Sequence, residues 1–113
     1  MKSLDFNALV QPTLTLTMKD EARTVIQVTT PTERLVERLT AGMADLKTVL
    51  AAQDNESTSA AFALAADLIS CNTDGIPVTC EDLRGKYRFE LYDLLAFYKV
   101  YMEFISEIQT AKN

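Results

Sequence analysis

Gly85-Lys86-Tyr87-Arg88-Phe89-Glu90-Leu91-Tyr92-Asp93-Leu94-Leu95-Ala96-Phe97-Tyr98-Lys99-Val100-Tyr101-Met102-Glu103-Phe104-Ile105-Ser106-Glu107-Ile108-Gln109-Thr110-Ala111-Lys112-Asn113 is the stretch on which the fold turns. It contains no proline, its only glycine stands at its entrance, and it holds most of the aromatic residues of the chain. At a period of about 3.6 residues, Tyr87, Leu91, Leu94, Tyr98, Tyr101, Met102, Ile105 and Ile108 share one face of a helix. Phe89, Phe97, Val100 and Phe104 fall outside that stripe. Apolar side chains therefore cover roughly two-thirds of the circumference, where a surface helix usually needs about a third. The pattern predicts a long C-terminal helix with more apolar surface than one small core accepts.

Working outward from this helix, the rest of the chain supplies what packs on it. Asn72-Thr73-Asp74-Gly75-Ile76-Pro77 is a turn. Thr79-Cys80-Glu81-Asp82 after it opens a short helical segment carrying Leu83. Before the turn, a helix is expected from about 57 to 71, with Ala61, Phe62, Ala65, Leu68 and Ile69 inward. Its alanines at 60, 61, 63, 65 and 66 keep it slim. Gln53-Asp54-Asn55-Glu56-Ser57 reads as a polar connector. Further upstream, Leu35, Val36, Leu39, Met43, Leu46 and Leu50 recur at helical spacing, opposite Arg34, Glu37, Arg38, Asp45 and Lys47. That helix is expected over about 30 to 52. Thr30 is its expected cap, Pro31 its first residue, Glu33 the partner in a capping box and Gly42 its weak point.

Near the N-terminus the period changes. Thr13-Leu14-Thr15-Leu16-Thr17-Met18 alternates strictly, and Thr24-Val25-Ile26-Gln27-Val28-Thr29 is rich in β-branched residues. With Lys19-Asp20-Glu21-Ala22 as a turn, the two make a β-hairpin. A lone hairpin is marginal in water, so it must pack on the helices or pair with another chain. Leu4, Phe6, Leu9 and Val10 anchor a lead-in that Pro12 ends. The expected fold is mainly α with an N-terminal β-hairpin (α+β), a small helical bundle around the long C-terminal helix. One domain covers 1–113, with the lead-in and hairpin in 1–29 and the helical part in 30–113.

The totals exclude several functions. The 113 residues fit one domain, and a composition 48% hydrophobic and 24% charged is that of a soluble globular protein. A net charge of -5 argues against binding nucleic acid through its backbone or an anionic membrane surface. No apolar run reaches the roughly 18 residues of a membrane span, and the first residues lack a signal-peptide core, so a cytoplasmic chain is expected. Cys71 and Cys80 then read as free thiols.

With no histidine in the chain, the commonest general base and metal ligand are missing. Three glycines leave no room for a phosphate cradle. Glu103 and Glu107 lack the partners of a di-metal site and read as a solvated stripe. Ser70, Asn72, Asp74, Gly75 and Glu81 have calcium-loop spacing. However, the first ligand position is not a carboxylate and Pro77 interrupts the loop, so a simple turn is the better account. No enzyme, cofactor or metal site is expected. What remains is the second stripe of the last helix. Phe89, Phe97, Val100 and Phe104 are either core covered from the hairpin side or a protein interface.

Several stretches together resemble a family. They are Leu4-Asp5-Phe6-Asn7, the Thr-rich hairpin, Pro31-Thr32, Leu68-Ile69-Ser70-Cys71-Asn72 with Gly75, and Val78-Thr79-Cys80-Glu81-Asp82-Leu83. The closing Tyr101-Met102-Glu103-Phe104-Ile105-Ser106-Glu107-Ile108 with Lys112-Asn113 is the most characteristic. The pattern is similar to the tail assembly chaperones of siphophages and prophages of Gram-positive hosts. That resemblance implies a non-enzymatic, mainly helical protein that self-associates into a homo-oligomer. It implies binding to the tape-measure protein and to tail-tube subunits in the bacterial cytoplasm, and absence from the finished virion. It also implies a longer product made by frameshifting near Lys112-Asn113. The alternative is a cytosolic helical adaptor or regulator that uses the same surface for an unrelated partner.

Overall fold

The computed structural model describes residues 12–41 and 55–110. The lead-in anchors Leu4, Phe6, Leu9 and Val10, the second half of the first expected helix (Gly42, Met43, Asp45, Leu46, Lys47 and Leu50) and Lys112-Asn113 lie outside the described residues. The elements are β1 (Leu14–Thr17), β2 (Val25–Val28), α1 (helical over 33–41), α2 (Asn55–Ser70), a π-helical turn (Asp82–Lys86) and α3 (Leu91–Thr110). The chain is thus mixed, a hairpin followed by helices that end in a long one, as its periodicities predict.

β1 and β2 pair antiparallel, with Leu14 opposite Val28, Thr15 opposite Gln27, Leu16 opposite Ile26 and Thr17 opposite Val25. The connecting turn contains no glycine, and Arg23 supplies the left-handed backbone it needs, at φ 51°. An arginine there is strained. Asp20 compensates by accepting from the Thr24 backbone N–H at 2.8 Å and from the Thr24 hydroxyl, while Arg23 N donates to Asp20 O at 3.0 Å. These bonds, the side-chain one first, hold the Asp20 carboxyl below the usual aspartate range.

α1 starts two residues later than the capping-box pattern suggests. Thr32, rather than Thr30, is the cap: its hydroxyl accepts from Leu35 N at 3.3 Å and its carbonyl from Val36 N at 3.0 Å. Thr30 still belongs to the extended strand exit, so Pro31 precedes the cap and Glu33 cannot close the box. Leu35 and Leu39 go into the core, and Val36 stays outside.

α2 buries Phe62, Leu64, Ala65, Ala66, Leu68 and Ile69. The alanines let α3 approach closely enough for the Tyr98 hydroxyl to donate to Ala61 O at 2.6 Å. The turn after α2 is fixed by Asn72. Its Nδ2 donates to Ile69 O at 2.9 Å and Ile76 O at 2.8 Å, and its Oδ1 accepts from Ile76 N at 2.8 Å. Gly75 takes φ 66° there, a conformation that side chains disfavour. Ser70 Oγ accepts from Val78 N at 2.9 Å. The oxygens of Ser70 and Asn72 that calcium-loop spacing singled out are thus spent on closing the loop.

Thr79 and Asp82 then cap each other: Asp82 N donates to Thr79 Oγ1 at 3.0 Å and Thr79 N to Asp82 Oδ2 at 3.1 Å. The single turn they start buries Leu83 completely. It does not run on into α3, so the continuous helix expected from Gly85 is broken. Arg88 adopts φ 53° and ends the turn. α3 begins afresh at Leu91, with Glu90 N donating to Asp93 Oδ2 at 2.8 Å across its first turn.

Candidate functional site

Four residues were expected on an outward stripe of the last helix, and the structure divides them. Phe97 and Phe104 are buried, at 5% and 6% exposure, within the core cluster. Phe89 is half-buried against that cluster, and Val100 is exposed at 41%. Phe97 and Phe104 are therefore not part of an open surface.

Helix geometry explains the division. At about 100° per residue, the buried arc of α3 is centred on Tyr101, with Leu94 nearly in line behind it. Phe97 and Phe104 lie roughly 40–60° to one side and Tyr98 roughly 60° to the other. The two expected stripes are one wide face. Its rings interlock, with centroids 5.4 Å apart for Phe97–Tyr98 and Phe97–Tyr101 and 5.9 Å for Tyr101–Phe104. Tyr92, roughly opposite Tyr101 on the helical wheel, stands 81% exposed. Its absence from the first stripe was the only sequence signal for its position.

What lies open is a groove between α3 and the hairpin, about 300 Å³ in volume and lined by residues of both. Residues 15–19 form one wall; Phe89, Ala96, Phe97 and Val100 supply most of the apolar opposite side. Ala96 and Val100 also border a second depression on the outer side of α3, with Tyr92, Leu95, Lys99 and Glu103. An apolar track thus runs from the strand wall over Ala96 and Val100 towards Tyr92.

One end of the groove is clasped. Lys19 Nζ lies 2.9 Å from Asp93 Oδ2, and the Arg88 guanidinium donates to the Lys19 carbonyl. Partial burial pushes the Asp93 carboxyl up. The Glu90 N–H and the Lys19 ammonium outweigh that and leave it below the usual aspartate range.

The strand wall has an open edge among the described residues. Met18 N donates to Thr24 O at 2.8 Å, which makes Met18 and Thr24 a hydrogen-bonded pair. By alternation Leu16–Ile26 and Leu14–Val28 are hydrogen-bonded too, whereas Thr15–Gln27 and Thr17–Val25 are not. The backbone N–H and C=O of Thr15 and Thr17 therefore point away from β2, and among the described residues no strand lies on that side. The opposite edge of the hairpin is occupied. There Thr29 N donates to Cys71 O at 2.8 Å, Thr73 N donates to Gln27 O at 3.0 Å, and Val28 bridges to Asn72.

The groove has apolar walls, an open strand edge and few charges, an arrangement that suits a peptide or protein segment. Among the described residues there is no group of three or more histidine, cysteine, aspartate or glutamate side chains placed to hold a metal ion. Cys71 and Cys80 are free and half-buried. No helix of the described residues is long and apolar enough to cross a membrane. The chain matches no family model, no curated protein and no solved structure.

Proposed function

We propose that the protein is a non-enzymatic assembly chaperone of phage tails. In this reading it self-associates and holds the tape-measure protein and tail-tube subunits during tail assembly in the bacterial cytoplasm, and is absent from the mature virion. The observation that carries the proposal is the open groove between β1 and α3, where strand amides with no strand partner among the described residues stand beside apolar side chains. Strand addition gives main-chain affinity with little demand on sequence, and apolar pockets then select the side chains of the guest. The resemblance of the residue pattern to that of tail assembly chaperones supplies the class of partner.

The test is to look beside this chain's gene for one that encodes a long helical protein and to co-express the two, with purification through a tag on the partner. The wild type should copurify and keep the partner soluble, and Val100→Glu, which places a charge on the groove, should not. Copurification unaffected by Val100→Glu, or a neighbourhood without such a gene, would count against the proposal.

A further inference from the structure

We infer that the occupant of the β1 edge in the free protein is the β1 edge of a second copy, so that two chains form one sheet running β2–β1–β1–β2. This rests on the reading of the chain as a self-associating assembly protein and specifies the surface it uses. The register follows from the direction of the free backbone groups. Only Thr15 and Thr17 within β1 present N–H and C=O outward, so an antiparallel partner must bring its own Thr15 and Thr17 against them. Placing Thr15 of one copy opposite Thr17 of the other satisfies both residues in both chains. The two-fold axis then passes between the two Leu16 residues, and Leu14 of each copy faces Met18 of the other.

Three further observations fit this pairing. The edge carries no charge from Thr13 to Met18 and no proline or bulge within β1, so the strand itself lacks the usual devices against strand addition. The pairs it creates on the solvent side are Thr–Thr, a favourable cross-strand combination, and no like charges meet. On the inner side, Leu14 and Leu16 of the incoming strand arrive above the groove, whose Ala96 and Val100 are exposed. A sheet of two strands, marginal alone, becomes one that buries an apolar face on α3 from both copies.

The experiment is sedimentation velocity of the full chain from micromolar to millimolar concentration, with charge variants at the two outward threonines. Both threonine side chains are exposed, and the changes cost the hairpin only the surface bond that Thr15 Oγ1 donates to Gln27 Oε1 at 2.8 Å. The wild type should form dimers or larger species. Thr15→Lys with Thr17→Lys sets lysine opposite lysine and should weaken association by about tenfold or more, as should the corresponding double glutamate variant. Mixing the two double variants should restore or exceed wild-type association, because each lysine then meets a glutamate. Thr15→Pro, which lacks the outward N–H but leaves the β2 ladder intact, should weaken association by about tenfold as well. Association unchanged in all these variants would overturn the β1 pairing but leave self-association standing. A wild type that stays monomeric throughout would overturn self-association itself.

Discussion

The two edges of the hairpin are built from similar residues and end in opposite states. On the β2 side the loop after α2 closes the edge, with Cys71 and Thr73 bonded to Thr29 and Gln27, and the side chains beneath, Ile26 and Val28, are fully buried. On the β1 side the outward groups of Thr15 and Thr17 meet no strand among the described residues, and Leu14 and Leu16 are only half-covered. The difference comes from what each edge faces. Asn72 gives the chain a loop rigid enough to act as a third strand for β2. α3 passes below β1 at a distance that leaves a groove. One edge is a structural seam and the other, among the described residues, is open.

The largest effect should appear where the groove meets the core. Phe97→Ala should cost about 3–5 kcal/mol in urea unfolding, because it empties a ring-packed site. Val100→Ala, one helical turn away and exposed, should stay within about 0.5 kcal/mol. Similar losses for the two would erase the distinction between the closed and open sides of α3.

Next in size is the seam itself. Asn72→Ala removes three side-chain hydrogen bonds to the backbone. It should cost about 2–3 kcal/mol, with the amides of Thr29 and Thr73 losing exchange protection before the rest of the protein. A wild-type melt for this variant would mean that the loop does not depend on Asn72 to cover β2.

The smallest effects should come from two tyrosines on α3, which repeat the contrast between paired and unpaired groups inside the core. The Tyr98 hydroxyl bonds Ala61 O, whereas the buried Tyr101 hydroxyl has no partner among the described residues. Burial pushes both phenols well above the ordinary tyrosine range. Tyr98→Phe should destabilise by about 1 kcal/mol, and Tyr101→Phe should be neutral or stabilise by a similar amount. Thermal melts of both variants check the opposed signs.

The hairpin was legible because strict alternation in 13–18 and β-branching in 24–29 admit few other readings. α2 and the Asn72–Pro77 turn were legible for the same kind of reason. The turn at Arg23 was not: left-handed backbone at an arginine is enforced by Asp20 and Thr24 and leaves no glycine to announce it. The break at Arg88 was hidden because the aromatic pattern of 87–89 continues the helical period across it. Phe97 and Phe104 were separated from Tyr98 and Tyr101 because periodicity ranks faces by angle and cannot say how wide an arc the neighbours cover. Here the covered arc is wide enough to take in Phe97, Tyr98, Tyr101 and Phe104 alike. The groove needed β1 and α3 side by side, and they are more than seventy residues apart in the chain.

Amide hydrogen exchange at Thr15 and Thr17, followed by NMR over a range of protein concentrations, tests the open edge most directly. Both amides should exchange freely in dilute protein and become protected as concentration rises, while Thr29 and Thr73 are protected throughout. Thr15 and Thr17 amides that stay unprotected at concentrations where the protein self-associates would contradict the β1 pairing.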